Sequence, residues 1–221
     1  MAARIRLNQS VYILKESEDF YQVVFTATRV IKRFKVDGLV KDVITILASE
    51  HDRTEISQVL AEKYAAEDIT ACVNALIGFG VVTASDETYF NQRYQRQVLF
   101  LSELTGSFEE AICAHKRLEN ATVAVFGVGG VGTWIVNGLS QMGVGNIRIT
   151  DPDIVTESNL NRQLNFTTQD IGNYKVDVIK GKIPDANMKT WKTTVSPHED
   201  LDHIVSGCNI LINCADSPSI A

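Results

Sequence analysis

The chain has 221 residues, 45% of them hydrophobic and 22% charged, an ordinary globular balance with room for one large or two small domains. Lys and Arg number 21 against 27 Asp and Glu, a net charge of −6, so the basic excess that neutralises a phosphate backbone is missing and general nucleic-acid binding is disfavoured. Apolar runs are only a few residues long, the N-terminus lacks a signal-peptide core, and Cys72, Cys113, Cys208 and Cys214 form no CxxC pair; membrane, secreted and fibrous classes are excluded, and a reducing cytoplasm is the expected compartment.

Residues 1–90 read strands first and helices second. The alternation over Ser10–Leu14 and the β-branched, aromatic run Tyr21–Val30 predict strands, separated by the charged turn Lys15–Asp19. Three helical stripes follow: Leu39, Val40, Val43, Ile44 and Leu47; then Ile56, Val59, Leu60 and Tyr64; then Ile69, Cys72, Val73, Leu76 and Ile77. Asp52 and Glu55 have the spacing of a capping pair for the second helix, Gly78 and Gly80 end the third, and Val81-Val82 returns as a strand. A small sheet with three short helices is a winged-helix-like α+β pattern. Such modules often read DNA, but this segment holds ten Lys/Arg against thirteen Asp/Glu. Two readings remain: a sheet edge that accepts an extended peptide as an added strand, or a structural cap.

From residue 91 strand alternates with helix. Ser107 and Glu110 predict a capping box ahead of a helix to about Leu118, Thr122–Phe126 a buried strand, and Val131, Ile135, Val136, Leu139 and Met142 the apolar face of the next helix. Ile147–Thr150 is a strand, Lys175–Ile183 a helix, Thr193–Val195 a strand and Ile210–Asn213 a buried strand. The fold class is therefore α/β, a doubly wound parallel (Rossmann-like) sheet, with ligands expected at the carboxyl ends of its strands. Domains at 1–90 and 91–221 follow. Cys113, Cys208 and Cys214 read as small buried apolar groups, and Trp134 and Trp191 as packing residues.

The loop Gly127-Val-Gly129-Gly130-Val-Gly132 leaves a strand and opens a helix, where glycines let the backbone turn sharply and approach a phosphate at the positive helix end. Asp151, 19 residues after Gly132, ends the next strand, where a carboxylate accepts bonds from ribose hydroxyls. Alone this fingerprint says adenine nucleotide, with NAD and hydride transfer the usual guess. The segment Asn159-Leu-Asn161-Arg162-Gln163 and Lys175 shift the reading, because a triphosphate with a pyrophosphate leaving group calls for cations that Arg162 and Lys175 supply. Asp216, after the Ile210–Asn213 strand, suits magnesium, which takes one or two carboxylates plus phosphate oxygens. Asp153 either touches ligand or caps the following loop.

The order and spacing of Arg93-Tyr-Gln-Arg96-Gln97, Gly127–Gly132, Asp151-Pro-Asp153, Asn159–Gln163, Lys175 and Asp216 resemble the ThiF/MoeB superfamily, the adenylating fold shared with ubiquitin-activating enzymes. The resemblance implies ATP and Mg2+ as ligands, with Asp151 on the ribose, Asn159, Arg162 and Lys175 on the phosphates and Asp216 on the metal. It further implies Arg96 as an arginine finger reaching the neighbouring subunit, hence a homodimer. The winged-helix-like module ahead of the Arg93–Gln97 segment resembles the peptide-modifying members, such as the enzymes maturing microcin C and pantocin, where it clamps a precursor (leader) peptide by strand addition. The implied reaction is adenylation of a peptide carboxylate. Alternatives are sulfur-carrier adenylation, a non-catalytic leader-peptide delivery module, and an NAD-dependent oxidoreductase. Members of the superfamily continue past the Asp216 strand, often into a CxxC zinc site, so the chain is expected to be a fragment.

Overall fold

A computed structural model of the chain describes residues 4–85, 93–194 and 201–216; the expected boundary near residue 90 and Val195 lie outside these ranges. Contacts divide the chain after His115.

In the first unit the elements are β1 (Arg4–Leu7), β2 (Val11–Lys15), β3 (Phe20–Phe25), β4 (Ile31–Lys35), α1 (Gly38–Ile46), β5 (His51–Asp52), α2 (Arg53–Leu60), α3 (Ala66–Gly78), β6 (Val82–Ser85), α4 (Gln95–Thr105) and the start of α5 (Phe108–Asn120). Strand β1 lies between β5 and β6, antiparallel to both, and β2-β3-β4 forms a separate antiparallel meander. The run predicted over Tyr21–Val30 breaks after Phe25, because Arg29 adopts φ +57° in a tight turn and the chain reverses into β4. The core is built from Ile5, Val23, Val43, Leu47, Ile56, Ile69 and Val73, each worth about 1.5–3 kcal/mol of transfer free energy when fully buried. Val59, expected in the second stripe, is exposed: α2 has eight residues and buries only the Ile56/Leu60 row. The predicted box at Asp52 and Glu55 forms in both directions, and at Ser107 the serine's half of the predicted box is present. Asp52 Oδ1 accepts the Thr54 and Glu55 amides at 2.8 Å while Glu55 returns a carboxylate oxygen to the Asp52 amide at 2.9 Å. Ser107 Oγ accepts the Glu110 amide at 3.0 Å.

The second unit carries β7 (Thr122–Phe126), α6 (Gly130–Gln141), β8 (Asn146–Thr150), α7 (Lys175–Lys182), β9 (Asn187–Trp191), α8 (Asp202–Val205) and β10 (Ile210–Asn213). Its sheet has the order β10-β7-β8-β9 and is parallel throughout. Successive strands leave β7 in opposite directions, so the crevice at the carboxyl ends of β7 and β10 is a topological switch point. The strand expected at Thr193–Val195 is instead β9, six residues earlier. Only Met188 of β9 is fully buried, so its apolar signal is weak, and Thr193 and Thr194 fall in the loop beyond it. Helix α6 buries Gly132, Thr133, Val136 and Leu139. Val131 and Met142 of its predicted face are exposed, and Trp134, expected to pack, is 62% exposed. Trp191 packs against Ala124, Phe126 and Ile204 as expected. Cys113, expected to be buried, is exposed, whereas Cys208 and Cys214 are half-buried. Among the described residues no helix is long and apolar enough to cross a membrane.

Candidate functional site

A cavity of about 470 Å3 opens at the switch point, lined by Gly127, Gly129, Gly130, Asp151, Asp153, Asn159, Arg162, Gln163, Lys175 and Asp216, together with Thr150, Thr193, Thr194 and Cys214. It gathers every site residue predicted from the sequence in this unit except Gly132. Arg96 belongs to the first unit, exposed in the first turn of α4.

The four loop glycines divide by cause. Gly127 has φ +85°, and a Cβ there would meet the Ala215 nitrogen at 2.8 Å; a Cβ on Gly132 would lie 2.0 Å from the Gly127 carbonyl oxygen. The fold itself requires these two. At Gly129 and Gly130 a Cβ would meet nothing closer than 3.8 and 4.0 Å, so packing does not demand glycine where the backbone faces the cavity. Absent side chains there leave room for a group to approach the backbone. Helix α6 begins at Gly130, and its first-turn N–H groups have no helical acceptor, which makes this wall attractive to anions.

Asp151 is 5% exposed and anchors the loop. Its Oδ2 accepts the Val128 amide at 2.8 Å and its Oδ1 the Asp153 amide at 2.9 Å. Each oxygen keeps a second lone pair for a ligand hydroxyl. Lys175, also 5% exposed, sits in the first turn of α7 and donates to Asp153 Oδ2 at 2.7 Å, with Asp151 Oδ1 at 3.9 Å. The Asp153 carboxylate thus takes the Lys175 cation, while the turn at this loop is made by Asp151. Asn159 accepts the Thr156 amide through Oδ1 at 3.0 Å, closing a short 3₁₀ turn. Arg162 is exposed and donates to the Ser158 carbonyl at 2.6 Å. Gln163 is buried, and its Oε1 has no hydrogen-bond partner among the described residues. That is an orphaned acceptor at the cavity wall, the kind of group a ligand donor satisfies. Burial raises the Cys214 thiol above its ordinary range.

Sequence reasoning missed Thr133. Its hydroxyl lies 2.9 Å from the Gly129 carbonyl and accepts the Leu164 amide at 3.2 Å, tying the glycine loop to the segment after Gln163. Its place one residue beyond Gly132, in the first turn of a helix, was the available signal. Among the described residues no three His, Cys, Asp or Glu cluster as a metal site, so no all-protein metal cage is formed. A lone exposed carboxylate, Asp216, fits a hard cation that arrives with most of its oxygen ligands from a polyphosphate.

A model of the ThiF family matches residues 94–221. The chain is 37% identical over 133 residues to an adenylyltransferase and sulfurtransferase, UBA4, of Scheffersomyces stipitis, covering 58% of this chain and 28% of that one. It is 47% identical over 72 residues to the tRNA threonylcarbamoyladenosine dehydratase of Bacillus subtilis, covering 33% and 28%. Among solved structures, E. coli MccB with ATP superposes with a TM-score of 0.69 at 21% identity over 97% of this chain and 64% of that chain. PaaA superposes with a TM-score of 0.73 at 24% identity over 93% and 65%. The chain spans under a third of these curated relatives' length and under two thirds of the solved chains.

Proposed function

Because the chain belongs to the ThiF family, we propose that it is an ATP-dependent adenylyltransferase acting on a carboxylate of a ribosomally made precursor peptide. The observation that carries the peptide half is the extent of the fold likeness: it runs through 97% of the chain, first unit included, to a structure solved with the peptide MccA bound. Residues 1–90 are assigned to peptide recognition and residues 91–221 to nucleotide chemistry. Among the described residues no further strand pairs with the outer edges of the β2-β3-β4 meander, which suits addition of an extended peptide. The reading also carries Arg96 as a finger from a second copy, hence a homodimer, and a cytoplasmic location.

The peptide carboxylate attacks the α-phosphorus of ATP, and the bond to pyrophosphate breaks. No side-chain nucleophile is needed, since positioning and charge stabilisation supply the rate. Backbone N–H groups at Gly129 to Val131 hold phosphate oxygens, and Asp151 orients the ribose while it holds the loop. Lys175 and Arg162 lie where charge accumulates on the leaving group, and Asn159 and Gln163 supply amide hydrogen bonds. Asp216 would hold magnesium, which neutralises further phosphate charge. Adenylation of a sulfur-carrier protein is the second reading, favoured by the 37% identity to UBA4.

The test is peptide-dependent turnover of MgATP with short peptides encoded beside the gene. Pyrophosphate and AMP released together support the proposal. ADP formation refutes adenylation, peptide binding without nucleotide chemistry identifies a delivery module, and a response to NAD(P)H identifies a dehydrogenase.

A further inference from the structure

The first unit contains a cavity of its own, about 280 Å3, between the C-terminal end of α3, strands β4 and β6, and α4. At its wall stands Glu103. Its Oε2 is saturated, lying within reach of the Ala27 amide at 3.1 Å, the Thr28 amide at 2.9 Å and the Thr28 hydroxyl at 3.2 Å. Its Oε1 is buried with no hydrogen-bond partner among the described residues. A buried carboxylate oxygen left unfilled is an exception that needs a reason.

The other polar walls do not fill it. The Asn8 amide donates to the Gly80 carbonyl at 2.9 Å, its oxygen accepts from Ser10, and the Ser102 hydroxyl donates to Leu99 at 2.7 Å. Phe25, Phe79 and Phe108 supply apolar wall. Two of these rings already attract a cation: Lys32 Nζ stands 4.8 Å from the Phe25 centroid and 5.7 Å from that of Phe79. A carboxylate with one oxygen filled and the other without a donor, beside aromatic faces, selects a positive donor attached to an apolar group.

We propose that this cavity is a second ligand site that takes an alkyl- or aralkylammonium group, its nitrogen donating to Glu103 Oε1 and its carbon chain lying against Phe25 and Phe79. The site is independent of the nucleotide reading. Lys32 is then a competitor for the same aromatic faces rather than a ligand contact.

The test is calorimetric titration of the protein, without nucleotide, by 2-phenylethylammonium, its neutral isostere 2-phenylethanol and the anion phenylacetate. The ammonium is expected to bind at least tenfold more tightly than the alcohol, with phenylacetate weakest. Glu103→Gln, which keeps an oxygen for the Ala27–Thr28 turn, should bring the ammonium-to-alcohol ratio close to one. Lys32→Ala, at an exposed position, should tighten ammonium binding severalfold. It decides the matter if Glu103→Gln fails to fold. Equal affinity for all three probes, preference for phenylacetate, an unchanged ratio in Glu103→Gln, or weaker ammonium binding in Lys32→Ala would each overturn the proposal. A short phenylalanyl peptide with a free amino end, compared with its N-acetyl form, identifies the source. Tighter binding than phenylethylammonium assigns the cavity to a chain terminus, weaker binding to a small free amine, and equal binding of the acetylated form overturns the ammonium assignment.

Discussion

Gly130→Ala and Gly132→Ala add the same methyl group two residues apart and should have opposite consequences. At Gly132 the methyl carbon would lie 2.0 Å from the Gly127 carbonyl oxygen, against a normal contact above 3 Å, so about 1 Å of backbone movement is forced. Overpacking of this severity costs about 1–3 kcal/mol or more, and only about 1 kcal/mol returns from the better helix propensity of alanine. A backbone clash at 2.0 Å belongs at the upper end of that cost, so the net loss is expected at about 2 kcal/mol. At Gly130 nothing lies within 3.9 Å of the new methyl, so alanine should leave stability level or up to about 1 kcal/mol higher. The same methyl intrudes on the wall where phosphate is proposed to sit, so ATP affinity should fall at least tenfold. Urea unfolding gives the first quantity and ATP titration the second. If Gly130→Ala binds ATP like the parent, or Gly132→Ala is as stable as the parent, the division of the loop into fold-required and ligand-required glycines is wrong.

Asp151→Asn replaces one amide-accepting oxygen by a donor, setting it against either the Val128 or the Asp153 N–H; about 1.5–3 kcal/mol of local stability should be lost, read as faster amide exchange at that residue, and unchanged protection would contradict the anchoring role. Thiol labelling at pH 8 should reach exposed Cys113 first and Cys72 last, because burial pushes the Cys72 thiol up to about 11; ATP should slow labelling of Cys214 from the cavity, as read by peptide mass. Asp170 is held below the usual carboxylate range by its bond to Lys182 and then by Thr167. A depressed folded-state value means that its stabilisation is complete above the unfolded value near pH 4 and disappears as pH falls through the lower folded value. Lys182→Met should flatten that acid limb of the unfolding curve, and an unaltered limb would exclude the pair as its source.

The second unit was legible where local chemistry and buried periodicity coincide. β7 carries a buried apolar run and β8 an alternating one, the glycine loop announces its turn, and Asp151, Asn159, Arg162, Gln163, Lys175 and Asp216 come together around one cavity. β10 forms where its apolar run predicted, but it is the outermost described strand, and Ile210 and Leu211 are exposed rather than buried as expected. What the sequence concealed is three strands with little apolar signal, β1, β4 and β9. β1 alternates between basic and apolar residues, β4 holds three basic residues in five, and β9 presents one buried methionine, so strand pairing rather than local apolar signal decides their conformation. Helix α6 was read with its stripe rotated, because Gly132 and Thr133 count as neither apolar nor periodic yet occupy its buried face. The orphaned oxygens of Gln163 and Glu103 have no sequence signature at all, since a missing partner is a property of three-dimensional neighbours.

The carboxylate of Asp153, 2.7 Å from Lys175, is a tethered rival to any anion drawn to that lysine. Being fixed to the same chain, it competes at an effective concentration that free chloride or sulfate does not reach. A single-point anion exchanges one charge for another and gains little. On the proposed reading a polyphosphate would meet the loop amides and Arg162 as well, so its surplus would grow with each added contact. On that reading the pair would act as a threshold, converting a generally anion-friendly helix start into a site that answers to ligands large enough to engage several walls at once.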